Sequence, residues 1–274
     1  MNEQKAPGGI EWTRIKNKDG SYRRGYTWNP VQGCKHDCKW TMPDGVVVPC
    51  YAKTVAEKFK SDRFFPQGFE QHYFHEGKLW EPLKLREPAG IFCDSMSDLM
   101  GHWVPKEQIN QVLLTCEKAS HHIFQLLTKN APRLLEFEFP PNVWAGVSAP
   151  PSFMHGKALS HEQQEAMVMR QLHILNAKDG LIRWMSIEPL SFDIEEVFMD
   201  WLTSHGKLPL EWVVIGAASN GPKLYPPDRE HFENLLLLMD TWKIPVFFKG
   251  NMECLMGTTA DWRDSFPSVT TGPC

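Results

Sequence analysis

EWVVIGAASNGPKLYPPDREHFENLLLLMDTWKIPVFFKG, residues 211–250, contains two apolar runs, EWVVIGA and IPVFFKG, on either side of a segment with a different period. Between Arg229 and Thr241 the apolar residues recur at three- and four-residue intervals, which describes a helix with one buried face. The flanking runs are too short and too continuously apolar for amphipathic helices and read as strands buried on both faces. Strand, helix, strand in that order implies a parallel pair, because the helix must carry the chain back to the end where it began.

The same rhythm extends through the chain. Apolar runs recur at GIFCD (90–94), HIFQLLT (122–128), NVWAGVS (142–148) and IRWMSIEP (182–189), with helical patterns at Lys106 to Ala119 and Glu162 to Asn176. The connection from HIFQLLT to NVWAGVS is shorter. YTWNPVQG, Tyr26 to Gly33, is β-prone and is broken by Pro30 and Gly33, which adds a strand ending just before Cys34. About seven β/α units predict a partial or complete (β/α) barrel of the TIM type, with a doubly wound open sheet as the alternative. No linker or low-complexity tract interrupts 1–274, so a single domain is the simplest organisation. Residues 1–24 read as a polar leader. Residues 61–89 read as an insertion or lid rich in aromatics and histidine, among them Phe64, Phe65, His72 and His75.

Composition narrows the class. The chain has 274 residues, 42% hydrophobic, with a formal net charge of −4, ample for a core and without a global attraction for polyanions. No run approaches the ~20 apolar residues of a membrane span, and the first residues lack a signal-peptide core. A cytoplasmic protein without membrane partners is expected. Seven cysteines in such a compartment are more often metal ligands or catalytic groups than disulfides. Cys93, Cys116, Cys254 and Cys274 read as small buried hydrophobes.

Chemistry concentrates in WNPVQGCKHDCKWTMPDGVVVPCYAKTVAEKFK, residues 28–60. Cys34, Cys38 and Cys50 lie within it, and Ala52, Val55, Ala56 and Phe59 describe a helix that begins at Cys50. Helix-start N–H groups favour a thiolate there. Three thiolates without an obvious fourth ligand suit an iron–sulfur cluster with one open iron, or a zinc site completed by His36 or water. A zinc ribbon, which carries two close cysteine pairs, fits poorly. Polar groups follow each strand: Asp94, Ser95 and Asp98; Thr128 and Lys129; Ser148; Glu188; Ser219 and Asn220; Lys249. In parallel α/β folds such positions converge on one cleft. Each also has a plain reading. Asp94, Ser95 and Asp98 could cap a helix, and Thr128 and Lys129 could be helix-start and surface residues. Glu188, directly after an apolar strand, is costly unless it has a partner. IGAASNG offers backbone N–H groups to a cofactor but is not a dinucleotide fingerprint.

WNPVQGC, CYA opening a helix, SMSDL, LLTKNAPRL, VWAGVS, SIEPL, WVVIGAASNGP and VFFKG resemble, in order from Ile10 to about Gly250, a phage- and prophage-associated three-cysteine family regarded as radical-SAM-like. The resemblance implies a partial β/α barrel in which Cys34, Cys38 and Cys50 hold a 4Fe-4S cluster. S-adenosylmethionine would bind the open iron and be cleaved reductively, and the resulting radical would abstract hydrogen from a substrate. From their places at the strand ends, Glu188, Lys249 and Asp98 are expected to be catalytic, and Ser95, Thr128, Ser148, Ser219 and Asn220, with Tyr51 at the start of the helix after Cys50, to bind the cofactor. Radical-SAM enzymes usually carry CxxxCxxC. Here KWTMPDGVVVP separates Cys38 from Cys50, and a hairpin turning at PDG would return Cys50 to Cys38.

Three functions are expected in competition: a radical-SAM-like enzyme with an electron donor; a barrel whose zinc or non-catalytic cluster only holds the cysteine loop; and a phage- or nucleic-acid-associated binding protein. The last draws on the aromatic and basic segment from Lys58 to Arg86. Nothing in the sequence names a substrate.

Overall fold

The computed structural model describes residues 1–6, 8–61, 65–255 and 262–268; Phe64 and Cys274 lie outside them. In chain order the strands used below are β1 (Asn2–Gln4), β2 (Arg24–Trp28), β3 (Lys39–Thr41), β4 (Val47–Pro49), β5 (Ala89–Cys93), β6 (Ile123–Thr128), β7 (Val143–Ser148), β8 (Ile182–Ile187), β9 (Trp212–Ile215), β10 (Ala218–Asn220), β11 (Lys223–Tyr225) and β12 (Val246–Phe248). The helices are α1 (Tyr51–Lys58), α2 (Lys106–Lys118), α3 (His161–Asn176), α4 (Ile194–His205) and α5 (Arg229–Thr241).

One eight-stranded sheet runs β1-β2-β5-β6-β7-β8-β9-β12. Its seven long-connected strands are mutually parallel, and β1 adds antiparallel to the β2 edge. Neighbours in sequence are neighbours in the sheet. That order belongs to barrel winding and not to the doubly wound alternative, whose strand order reverses at a switch point. The result is a curled, open half of a β/α barrel.

The pleat sorts side chains to two faces. Outward, Val147, Met185, Ile187, Val213, Ile215 and Phe248 pack under the helices with residues such as Leu172, Phe198, Trp201 and Leu235. Inward, Phe92, Trp144, Trp184, Trp212 and Phe247 form a second cluster with Trp12 and Ile15. Trp12 meets the rings of Phe92 and Trp184 at 4.6 and 5.1 Å.

Two expectations change here. Residues 1–24, read as a leader, are part of the fold: β1 caps the sheet edge, and Trp12 and Ile15 close the bottom of the concave face, because an open barrel leaves apolar surface there that its own strands cannot cover. Helix α4, absent from the sequence reading, supplies the β8 to β9 crossover; its buried Ile194, Val197, Phe198 and Trp201 lie at helical spacing. The three helical patterns that the sequence suggests fall where expected, within a residue. Cys93 and Cys116 are buried and Cys254 is exposed.

Candidate functional site

On the inner face the strands change character along their length. Toward their amino ends they carry the tryptophans. Toward their carboxyl ends they carry smaller groups, two of them polar: Ser148 pairs in register with Ser186, and Ser186 with Val214. One step further come Glu188, Gly216 and Lys249. The aromatic layer makes a floor, and the small residues leave space above it. A Cβ added at Gly216 would stand 3.2 Å from Glu188 Cγ and 3.1 Å from Lys249 Cδ. Glycine therefore lets those two side chains cross the mouth.

The cysteine loop leaves β2 at this end. Gly33 turns it with φ +89°, and a Cβ there would fall 1.7 Å from the Gln71 carbonyl oxygen. Any other residue would be both strained and obstructed. Gly33 N–H donates to the Met96 carbonyl and Cys34 N–H to that of Phe69, at 3.0 and 2.8 Å. Beyond Cys38 the chain forms the expected hairpin: β3 pairs with β4 from Lys39↔Pro49 to Thr41↔Val47, and Cys50 N–H donates to the Cys38 carbonyl at 3.0 Å. Eleven intervening residues thus return Cys50 beside Cys38. Cys50 is the residue before the first turn of α1.

The thiols share one electrostatic neighbourhood. Burial pushes Cys34 up, Asp98 adds to it, the His36 backbone N–H opposes it, and Cys38 and Cys50 contribute further. Burial raises Cys38 to about 11 against the pull of Lys129, with Cys50 adding to the rise. Among the described residues no group of three or more His, Cys, Asp and Glu side chains stands ready-made around a metal position. The loop offers a donor set and not a finished cage. Three soft sulfur donors fit an iron–sulfur cluster or zinc.

Asp98 lies beneath the loop, buried. Its Oδ2 meets His36 Nε2 at 2.7 Å and accepts from Thr128 Oγ1 at 3.0 Å and from Lys129 N–H at 2.9 Å. Its Oδ1 accepts from Met100 N–H at 3.0 Å. Burial alone would raise its pKa, but the His36, Lys129 and Thr128 hydrogen bonds prevail and hold it below the usual carboxylate value. Expected among the catalytic residues, Asp98 has every oxygen engaged by the protein. It holds the loop, and Thr128 likewise gives its hydroxyl to Asp98. Asp94 accepts from Val31 N–H at 3.0 Å, and burial pushes its carboxyl well up.

Across the mouth, Lys249 Nζ donates to Glu188 Oε2 at 3.1 Å, and the Glu188 charge holds the ammonium pKa above its ordinary value. Tyr51, 57% exposed, donates its hydroxyl to the Ser95 carbonyl at 3.2 Å. Surrounding protein raises its phenol to about 12, with Cys50 and Glu188 adding to that. Lys129 Nζ donates to Ser148 Oγ. Ser95 Oγ donates to Asn29 Oδ1 at 3.2 Å.

Cys34, Cys38, Cys50, Tyr51, Ser95, Asp98, Thr128, Ser148, Glu188 and Lys249 thus gather at one end of the sheet. Ser219 and Asn220 do not join them; they stand exposed on the β10–β11 hairpin. That hairpin reaches back to the cysteine hairpin, where Asp44 Oδ2 accepts from Lys223 Nζ at 2.6 Å and from Tyr225 Oη at 2.8 Å. Asp44, Asn29, Asn251 and Glu11 were not singled out in the sequence. Asn251 brackets Ala217 through both backbone groups, and Glu11 accepts from Gly250 N–H at 2.8 Å. Asn251 alone carried a signal, its place two residues after Lys249.

Residues 9–258 match the protein family described as "Protein of unknown function (DUF5131)". The chain belongs to this family. Among curated proteins none matches. Solved structures similar to the chain include a spore photoproduct lyase double mutant with bound AdoMet and dinucleoside spore photoproduct, at TM-score 0.45 and 11% identity, covering 85% of this chain and 65% of that one. Spore photoproduct lyase complexed with the dinucleoside spore photoproduct is similar at TM-score 0.47 and 11% identity, over 80% and 74% of the two chains. The DUF5131 chain thus spans less than two thirds of the first of these structures. At that level the likeness does not extend to chemistry. Among the described residues no helix is long and apolar enough to cross a membrane.

Proposed function

We propose that this DUF5131 protein is a radical-SAM-like enzyme in which Cys34, Cys38 and Cys50 hold a 4Fe-4S cluster and S-adenosylmethionine binds in the mouth above the tryptophan floor. The observation that carries the reading is the return of Cys50 to Cys38 across the β3–β4 hairpin, which gives widely spaced cysteines the reach of a compact motif. When bound, the cluster and S-adenosylmethionine supply reductive cleavage of a sulfonium and a carbon radical.

The chain's own residues would do the rest. Asp98 fixes His36 and with it the turn between Cys34 and Cys38. Ser95 and Tyr51 wall one side of the mouth, Ser148 the other, with Thr128 bracing Asp98. Glu188 and Lys249, a partly exposed pair, meet the substrate and orient it. The closed floor of Trp12, Trp184 and Trp212 excludes water from below.

A second reading is zinc in a Cys3His set. His36 is 3% exposed and its Nδ1 has no hydrogen-bond partner, while Nε2 meets a carboxylate, the arrangement that histidine ligands commonly show. Anaerobic reconstitution decides between them. The cluster reading expects about four iron and four sulfide per chain, absorbance near ~400 nm, S-adenosylmethionine-dependent release of 5′-deoxyadenosine with dithionite supplied as the electron donor, and loss of all three in Cys34→Ala, Cys38→Ala or Cys50→Ala. Zinc near one equivalent without iron overturns it in favour of the second reading.

A further inference from the structure

Three thiolates on a divalent ion or on a cluster core leave about one net negative charge on the centre. A half-buried charge of that kind is costly without a partner. Asp98 brings a second negative charge to the same place. The loop must therefore find positive charge nearby.

Most of the surrounding cations are occupied. Lys39 and Lys53 both bind Asp37, at 2.9 and 3.4 Å, and Lys53 also binds Glu70 at 2.8 Å. Lys249 is held by Glu188 at 3.1 Å. Lys35 is exposed, where solvent screens it. Lys129 differs from all of these. It is half-buried, its ammonium donates to the neutral Ser148 hydroxyl, and no carboxylate pairs with it among the described residues.

Its position is fixed from both ends. Its backbone N–H and His36 Nε2 share the same oxygen of Asp98, so Lys129 is anchored to the turn between Cys34 and Cys38 through a single atom. At the other end Ser148 Oγ, which itself donates to the Ala149 carbonyl at 3.3 Å, receives one ammonium proton and leaves two free.

We propose that Lys129 is the built-in counter-charge of the metal–thiolate centre, aimed by Asp98 and Ser148. This role rests on the cysteine loop binding a metal, and it holds for a cluster and for zinc alike. Lys129 is a positioning and charge-balancing residue and touches no reacting atom.

The test is an anaerobic titration of the purified protein with Co2+, read by sulfur-to-cobalt charge-transfer absorption. Lys129→Gln is expected to bind about tenfold more weakly than the unaltered protein, the lower end of what outer-shell partners contribute. Lys129→Arg keeps the charge and is expected to stay within about threefold. Ser148→Ala keeps the ammonium but releases its aim, and is expected to weaken binding about threefold; it serves should Lys129→Gln melt early. Binding within about twofold of the unaltered protein in Lys129→Gln, or in Ser148→Ala where that variant stands in, overturns the inference while leaving the metal reading intact. No charge-transfer band in the unaltered protein overturns this inference; whether the loop holds a cluster is then read from the iron and sulfide reconstitution.

Discussion

Asp98 shows how one residue's meaning depends on what surrounds it. In sequence it is a carboxylate after a strand, open to a catalytic role; in the fold it accepts from four donors and organises the turn that carries two cysteines. His122 is the opposite case, a titratable group that must stay neutral. Its Nδ1 accepts from Ala89 N–H at 3.2 Å and its Nε2 meets the Pro82 carbonyl at 3.1 Å, and burial lowers its pKa to about 4. The unfolded chain takes up that proton near pH ~6.5 and the folded protein only near pH 4, so stability falls as pH drops between those values and levels off below them. Urea unfolding at pH 7 and pH 5 is expected to differ by about 1–2 kcal/mol through this residue, a component that His122→Gln removes. An unchanged pH dependence in that variant would show that His122 does not titrate this way.

At the scale of elements, the cysteine hairpin and the β10–β11 hairpin leave the sheet after its first and sixth parallel strands and meet at Asp44. Lys223 and Tyr225 hold that carboxyl down at about 2. Contacts this exposed contribute little to global stability; their effect is local, on the hairpin that joins Cys38 to Cys50. Asp44→Ala is expected to speed amide exchange across residues 39–49 while leaving the thermal midpoint almost unchanged. Equal exchange in the two proteins would mean that the strand pairing alone holds the hairpin. Helix α4 makes a separate point. Its apolar positions, Ile194, Val197, Phe198 and Trp201, were in plain view, but Phe192 extends the apolar pattern back toward SIEPL with only Ser191 and Asp193 between, and this hides where the helix starts.

At the scale of the molecule, an open sheet has two problems, an uncovered edge and an uncovered floor, and the first residues answer both. Trp12→Ala would remove the ring that meets Phe92, Trp184 and Trp212, at an expected cost of about 3–5 kcal/mol, read as a lower urea midpoint with the near-UV signal of the tryptophan cluster altered; a change under ~1 kcal/mol would mean that the floor holds without it. The local sequence was sufficient for the alternation of strands and helices, hence a parallel α/β fold, and for the hairpin before Cys50, because periodicity and turn chemistry act over a few residues; the strand order decided for the barrel over the doubly wound sheet. It was also sufficient to suggest that Cys34, Glu188 and Lys249 would face one mouth, since a parallel sheet puts all strand ends on the same side. Contacts across long separations were not available from it: Trp12 on Trp184, Glu11 on Gly250, Asp44 on Tyr225, and the single oxygen of Asp98 shared by His36 and Lys129. Those pairings depend on how the sheet curls and where each loop then lands, and only the tertiary structure decided them.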